Sequence, residues 1–215
     1  MDRPNAETAV PAPDEAKVPR RRRGHGPKAL LLDLRERRYR FRQFVNVSYF
    51  LVVLIVASTV KRPVPWMLMV GAGLAVLGIA VRLWASGHIR KNDELATDGP
   101  YAFARHPLYV GNLLLGIGFS LASSIPWLIA VWTLIFWFFH SSAIKREDLK
   151  LSKRFPETWP QWAARTPALL PAALLKLKTW PCLGHWSLRQ SLRNGEPFYA
   201  AVLLAGLAWL YVRLL

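Results

Sequence analysis

Residues 97–111 read TDGPYAFARHPLYVG, and the polar residues of this stretch directly precede an apolar segment. The stretch contains three residues with ring or cationic side chains, Arg105, His106 and Tyr109. It also contains two residues that often mark the ends of helices, Pro107 and Gly111. Since proline fits the first turn of a helix, the spacing predicts a loop ending near Arg105 and a helix that enters the bilayer from Leu108. Arg105 and His106 would then lie at the positive end of that helix, which favours an anion. In an alternative interpretation, both residues simply face phospholipid phosphate at the interface.

The composition indicates a membrane-embedded protein, because 53% of the 215 residues are hydrophobic and ten are tryptophan. The net charge of +16 is also typical of nucleic-acid-binding proteins, so the placement of the charge decides between the two classes. Of the 29 Lys and Arg residues, twelve fall in residues 1–43, three in 87–107 and ten in 145–194. These blocks alternate with apolar segments, as the positive-inside pattern requires, and no nucleic-acid partner is expected.

Five apolar segments predict the fold class, namely residues 45–60, 64–85, 108–122, 126–139 and 197–215. Short charged or serine-proline turns join the first segment to the second and the third to the fourth, so each pair predicts a helical hairpin. The sequence therefore predicts an all-α, polytopic membrane protein with about five transmembrane helices, its N-terminus and first long polar loop on the cytoplasmic side. As an alternative, residues 197–215 form one arm of a buried hairpin.

A second polar motif follows the fourth apolar segment. Residues 141–155 repeat apolar or acidic residues at three- and four-residue spacing and predict a helix that leaves the membrane. Glu147 and Asp148, the acidic pair, lie near the membrane end of this helix. Because the second hairpin brings its two ends to one face, we expect the acidic pair to meet the motif of residues 97–111. The alternative is ion pairing with basic neighbours on the same helix, namely Lys145, Arg146 or Lys150.

The chain divides into four parts by composition. Residues 1–28 are rich in Pro, Ala and charged residues and predict a disordered basic arm that binds anionic lipids. Residues 29–44 predict an interfacial helix or, alternatively, a solvated linker, while residues 45–196 hold the membrane domain and residues 197–215 a C-terminal apolar helix. The one cysteine, Cys182, excludes an internal disulfide and supplies no thiolate cluster, so no metal is expected.

Two motifs together resemble the superfamily of isoprenylcysteine carboxyl methyltransferases and phospholipid methyltransferases. The first motif comprises Leu95, Thr97, Gly99, Pro100, Tyr101, Arg105, His106, Pro107, Tyr109 and Gly111. The second motif comprises Ile144, Glu147, Asp148, Leu151, Phe155, Trp159, Trp162, Pro167 and Pro171. The resemblance covers about residues 64–171, and the order of the motifs, one hairpin apart, makes the combination specific.

The resemblance implies a helical membrane methyltransferase that binds S-adenosyl-L-methionine in a cytoplasmic pocket and takes a lipophilic acceptor from the bilayer. By the same resemblance, the cofactor-binding residues are Tyr101, Arg105, His106, Tyr109, Gly111, Glu147, Asp148 and Trp159. The catalytic residues are Arg105, His106 and Glu147, and His106 or Glu147 would act as the base where the acceptor must lose a proton. The Arg–His pair and the acidic pair also complement the carboxylate and the ammonium of the cofactor.

The sequence decides neither the methyl acceptor nor the class of function. Ala143 stands where many members of the superfamily carry Arg, which weakens the expectation of a carboxylate acceptor. A prenyl-cysteine carboxylate, a lipid amine, a thiol and a hydroxyl all remain as acceptors. An alternative function is a non-catalytic membrane scaffold whose basic arm binds anionic lipid or a partner. A lesser alternative is an enzyme similar to the NADPH-dependent sterol reductases, which resemble the same region but have many more spans.

Overall fold

Helices form all the regular structure in the part of the chain that the computed structural model describes, residues 46–59, 63–89, 94–169 and 186–215. Within these residues the seven α-helices are α1 (Asn46–Thr59), α2 (Pro65–His88), α3 (Pro107–Ala122), α4 (Trp127–Arg154), α5 (Trp159–Arg165), α6 (Leu188–Arg193) and α7 (Glu196–Val212). A 3-10 turn at Gly99–Ala102 precedes α3. The all-α prediction is confirmed, whereas the predicted basic arm 1–28 and interfacial helix 29–44 lie outside the described residues.

Two of these helices, α2 and α4, are long and apolar enough to cross a membrane. The shorter helices α1, α3 and α7 are also apolar. The sequence predicts a helix over residues 141–155, and the structure joins it to the fourth apolar segment, because α4 runs without a break from Trp127 to Arg154. Residues 127–154 contain neither Gly nor Pro, so nothing in the backbone interrupts the hydrogen-bond ladder where the side chains change from apolar to polar.

Helices α2 and α3 approach so closely that glycines are needed at their contact. A Cβ atom added to Gly71 would lie 2.3 Å from the backbone nitrogen of Ala122, and one added to Gly118 would lie 2.6 Å from that of Ala75. Nearer the other end of α2, a Cβ at Gly78 would lie 2.8 Å from the carbonyl oxygen of Gly111. Small residues allow this kind of close helix packing in membrane proteins, so the glycine-rich part of α2 serves the contact with α3.

The turn between α3 and α4 fixes the predicted second hairpin. Ser124 adopts a left-handed backbone conformation with φ of 60°, which reverses the chain within four residues of the end of α3. Its Oγ accepts a hydrogen bond of 2.7 Å from the backbone N–H of Val64, the residue before α2. The hairpin turn and the start of α2 therefore lie at the same end of the helices, and α2 runs antiparallel to α3.

An aromatic cluster holds helix α1 at the end where α3 and α4 are joined. The Tyr49 hydroxyl donates to the carbonyl oxygen of Leu128 at 3.0 Å and lies 2.5 Å from the hydroxyl of Ser120. The Tyr49 ring packs on Trp132, which is fully buried, with 4.5 Å between the ring centroids. Helix α1 thereby contacts both arms of the α3–α4 hairpin, and its buried phenol is hydrogen-bonded as burial of a polar group requires.

We expect Gly118→Ala to destabilise the protein by about 1–3 kcal/mol, because the new methyl group meets backbone atoms that cannot rotate away. Gly73→Ala is the matched control, since a Cβ at Gly73 has nothing within 4 Å. That substitution should be neutral or stabilising by up to about 1 kcal/mol through helix propensity. Thermal unfolding of both variants in the same detergent checks the prediction, and equal melting temperatures would contradict it.

Candidate functional site

The start of α3 and the middle of α4 form one polar cluster. His106 Nε2 lies 2.9 Å from Asp148 Oδ1, and an Arg105 guanidinium nitrogen lies 3.2 Å from Asp148 Oδ2. His106 is 4% exposed, and the side chains of Arg105 and Asp148 are 17% and 18% exposed. The expectation that residues 97–111 meet the acidic pair is confirmed, and Asp148 contacts both Arg105 and His106.

The second carboxylate of the acidic pair is held through Tyr109. The Tyr109 hydroxyl donates to Glu147 Oε2 at 3.0 Å, and His106 Nδ1 lies 3.8 Å from the same oxygen. The rings of His106 and Tyr109 stack with 5.5 Å between centroids and 29° between planes. The Glu147 side chain is 48% exposed, so its carboxylate is the member of the cluster most open to a ligand from solvent.

Local sequence explains why these side chains converge. Pro107 begins α3, and His106 is its N-cap residue, with a non-helical backbone at φ of −126°. Tyr109 follows within the first turn and therefore projects from the same end of the helix as His106. On α4, Glu147 and Asp148 are adjacent, so their side chains diverge by about 100° and reach different partners across the hairpin.

The chain beyond α4 returns and covers the cluster. The backbone N–H groups of Arg105 and His106 donate to the carbonyl oxygens of Pro167 at 2.9 Å and Ala168 at 3.1 Å. Trp162 Nε1 donates to the carbonyl oxygen of Tyr101 at 3.2 Å. Two main-chain bonds and one bond from the Trp162 indole thereby fasten the segment from α5 to residue 168 to the motif of residues 97–111.

Tyr101 borders the cluster from the 3-10 turn. Its ring is 8% exposed. Burial raises the pKa of the Tyr101 phenol well above its usual value of 10, and the carboxylates of Glu147 and Glu196 raise it further, whereas Arg82 lowers it. The hydroxyl is therefore a neutral hydrogen-bonding group at physiological pH. Arg82 and Glu196, which also act on this pKa, belong to α2 and α7.

Two buried donors in the cluster are compatible with a ligand that carries hydrogen-bond acceptors. Arg105 Nε and Trp159 Nε1 are both buried, and neither has a hydrogen-bond partner in the described part of the chain. Arg105 also lies over the Trp159 ring at 5.8 Å from its centroid. Since the cluster contains cations and carboxylates side by side, its residues fit a zwitterionic ligand such as the amino-acid end of S-adenosyl-L-methionine.

Not all of the predicted site residues lie in the cluster. Five of them form the cluster itself, namely Arg105, His106, Tyr109, Glu147 and Asp148. Tyr101 and Trp159 border it. Gly111 contacts α2 instead, because a Cβ there would lie 2.5 Å from Cγ of Arg82. Its assignment to cofactor binding stays a prediction, and its observed contact is with a neighbouring helix.

Sequence reasoning missed two polar features near the cluster. His140 is fully buried on α4, its ring stacked on Phe136 at 4.4 Å and edge-on to Tyr109 at 5.3 Å. Arg82 and Glu196 form an ion pair between α2 and α7. Arg82, a single charge inside the apolar segment 64–85, was a visible signal that it needs a partner, whereas no signal in the sequence pairs His140 with Tyr109.

Comparison with known proteins identifies the region that holds the cluster. Residues 66–158 match the family model described as phospholipid methyltransferase. A cobalt-zinc-cadmium resistance protein of Cupriavidus metallidurans is 44% identical over 107 residues, which cover 48% of this chain and 47% of that protein. A nickel-cobalt-cadmium resistance protein of Alcaligenes xylosoxydans is 40% identical over 105 residues, with 48% and 47% covered.

Proteins named for a methyl-transfer reaction match the chain at lower identity. A protein-S-isoprenylcysteine O-methyltransferase of Xenopus laevis is 28% identical over 122 residues, which cover 51% of this chain and 42% of that enzyme. The chain thus spans about half the length of the curated relatives it matches. No solved structure matches it. Residues 66–158, which hold the cluster, are thus similar to the phospholipid methyltransferase family, and the chain is also similar to protein-S-isoprenylcysteine O-methyltransferases.

Proposed function

We propose that this protein transfers a methyl group from S-adenosyl-L-methionine to a lipophilic or membrane-associated acceptor. The observation that carries the proposal is the convergence of Arg105, His106 and Tyr109 with Glu147 and Asp148 inside the region that matches the family. The names of the bacterial relatives refer to metal resistance and state no reaction, whereas the isoprenylcysteine O-methyltransferases are named for one.

The residues of the cluster suit the two charges of the cofactor. Arg105, whose Nε is buried without a partner in the described region, would hold the carboxylate. Glu147, the more exposed carboxylate, would hold the ammonium. Tyr101, Tyr109 and Trp159 would line the pocket with rings. When bound, the cofactor supplies an electrophilic methyl group on a sulfonium, so the protein has only to align the acceptor and exclude water.

Asp148 orients His106 for any proton transfer that the acceptor needs. With the Nε2–H of His106 donated to Asp148, the neutral ring would keep Nδ1 as its acceptor nitrogen. His106 Nδ1 or the Glu147 carboxylate would then accept a proton from an amine, thiol or hydroxyl acceptor. A carboxylate acceptor is already anionic and needs no base. The same residues of the cluster therefore suit an oxygen, a nitrogen or a sulfur atom as methyl acceptor.

We further propose that the protein is multi-pass and that the cluster faces the cytoplasm. Helices α2 and α4 are apolar enough to cross the bilayer, and the basic blocks of residues 1–43, 87–107 and 145–194 fall between the apolar segments. The positive-inside rule assigns these blocks to the cytoplasmic side. The cofactor would then enter from the cytoplasm, while the acceptor would enter from the lipid phase.

We expect His106→Ala and Glu147→Ala to weaken binding of S-adenosyl-L-methionine and of its demethylated product by about tenfold or more, because each removes a charged hydrogen-bonding group. Isothermal titration calorimetry on detergent-purified protein measures this. Glu157→Ala is the matched control, since Glu157 is exposed beyond the end of α4 and should bind like wild type. Wild-type protein that binds neither compound would refute the proposed cofactor.

We expect purified protein to transfer label from methyl-labelled S-adenosyl-L-methionine into a component of a membrane lipid extract. Glu147→Ala should abolish the transfer, whereas deletion of residues 1–27 should leave it in place. A scaffold that works through its basic arm would give the reverse pattern. In a parallel thermal-shift measurement, stabilisation by NADPH instead of S-adenosyl-L-methionine would favour the reductase alternative.

A further inference from the structure

The C-terminal end of α2 is covered by the residues that lead into α6. The backbone N–H of Ser187 donates to the carbonyl oxygen of Gly87 at 3.1 Å. The Trp186 indole N–H donates to the carbonyl oxygen of Leu83 at 3.2 Å. The indole also packs on Gly87, where an added Cβ would lie 2.2 Å from Nε1 of Trp186. These residues thereby give a partner to a carbonyl group in the last turn of α2, which has none within its own helix.

The far end of α6 is held on α2 as well. Ser191 in α6 is fully buried, and its hydroxyl lies 2.7 Å from that of Ser86 on α2. The side-chain amide of Asn194, the residue after α6, donates to the carbonyl oxygen of Ser86 at 2.9 Å. A helix of six residues would not persist in water by itself, so these contacts decide where α6 lies and which of its faces is turned outward.

The outward face of α6 carries an apolar stripe beside a basic one. Leu188 and Leu192 are four residues apart, so they lie on one side of the helix, and they are 56% and 57% exposed. Arg189 and Arg193, both exposed, follow the leucines by one residue and form a second stripe about 100° around the helix. Trp186, two residues before α6, is 43% exposed. Leucine and tryptophan beside arginine are typical of a helix that lies in the interface of a membrane.

The attachment to α2 places this face at the border of the bilayer. With 24 residues, α2 is about 36 Å long, which exceeds a hydrocarbon core of about 30 Å. The residues that hold α6, Leu83, Ser86 and Gly87, lie within the last two turns of α2. In an α2 that crosses the membrane, these turns lie at the level of the lipid head groups. Trp186 fits this level, where tryptophan is enriched in membrane proteins.

The charge of the outward face favours an anionic partner. Residues 188–193 contain two arginines and no acidic residue, and Glu196, which follows them, is paired with Arg82. Arginine stems can lie along an apolar surface while the guanidinium groups reach phosphate oxygens. An acidic soluble protein would match the arginines alone, whereas a leucine stripe at the level of the head groups also matches lipid.

We propose that the outward face of α6, formed by Leu188, Arg189, Leu192 and Arg193, is a membrane-binding surface that recognises anionic phospholipids. The leucines enter the border of the hydrocarbon, and the arginines bind lipid phosphate. This surface lies outside the region that matches the family, residues 66–158. The inference rests on the proposed membrane crossing of α2 and is independent of methyl transfer.

Spin labels measure the depth of this surface in full-length protein reconstituted into nanodiscs. Cys182→Ser removes the one cysteine of the chain, and Leu188→Cys or Leu192→Cys then supplies a single labelling site. Power saturation compares collisions of the label with oxygen, which concentrates in lipid, and with a neutral nickel chelate, which stays in water. We expect both labels to be accessible to oxygen and protected from the chelate.

Two further labels calibrate the depth. Val76 is exposed in the middle of α2, so Val76→Cys should report hydrocarbon, whereas the exposed position of Glu157→Cys beyond α4 should report water. Labels at 188 and 192 that are as open to the chelate as the label at 157 would refute the membrane-binding surface alone. A label at 76 that is open to the chelate would refute the membrane crossing of α2, and the surface with it.

The lipid composition tests the arginines. We expect adding about 30% phosphatidylglycerol to phosphatidylcholine nanodiscs to lower access of the chelate to the label at 192 by about twofold or more. Arg189→Gln/Arg193→Gln should remove this lipid dependence. Lys153→Gln/Arg165→Gln is the matched control, because it removes the same charge from exposed positions of α4 and α5, and it should keep the dependence. Equal access in both lipids, or a dependence that survives the loss of both α6 arginines, would overturn the recognition of anionic lipid.

Discussion

The backbone contact between α2 and α3 is the constraint on which the rest of the structure depends. With glycine at positions 71, 78, 111 and 118, the two helices meet main chain to main chain, and the α3–α4 hairpin is placed against α2 as a consequence. The same contact sets Arg82 against Gly111, two residues beyond Tyr109 of the candidate active site. Larger side chains would separate the helices and shift the first turn of α3, so packing deep in the apolar region controls the position of the polar residues above it.

The charged side chains that meet between helices are paired or hydrogen-bonded, as expected where water is scarce. Asp148 is shared by Arg105 and His106, Glu147 accepts a hydrogen bond from Tyr109, and Glu196 is paired with Arg82. Isolated charges at such depth would cost several kcal/mol each, whereas paired charges can persist and still exchange partners with a ligand. The cluster of α3 and α4 contains a buried donor, Arg105 Nε, that has no hydrogen-bond partner in the described part of the chain, so this cluster is compatible with a ligand as well as with a structural role.

The cluster of α3 and α4 combines a covered side with an exposed carboxylate. The segment from α5 to residue 168 lies against the motif of residues 97–111, and Tyr101 borders the cluster as a neutral phenol. Glu147, the most exposed carboxylate of the cluster, suits an ammonium group that arrives from solvent. In the proposed methyl transfer, these residues would hold the charged end of the donor, and the protein would have only to align the acceptor.

The sequence by itself determined the helical class, the α3–α4 hairpin and the meeting of residues 97–111 with the acidic pair. These features depend on local signals: apolar periodicity, Pro107 at a helix start and a short turn that forces neighbouring helices to be antiparallel. Only the tertiary structure decided that Gly111 serves the contact with α2, that α4 is continuous and that Arg82 pairs with Glu196 from 114 residues away. Such partners depend on which helix faces come together, and a single sequence fixes the faces of each helix but not the neighbour that each face meets.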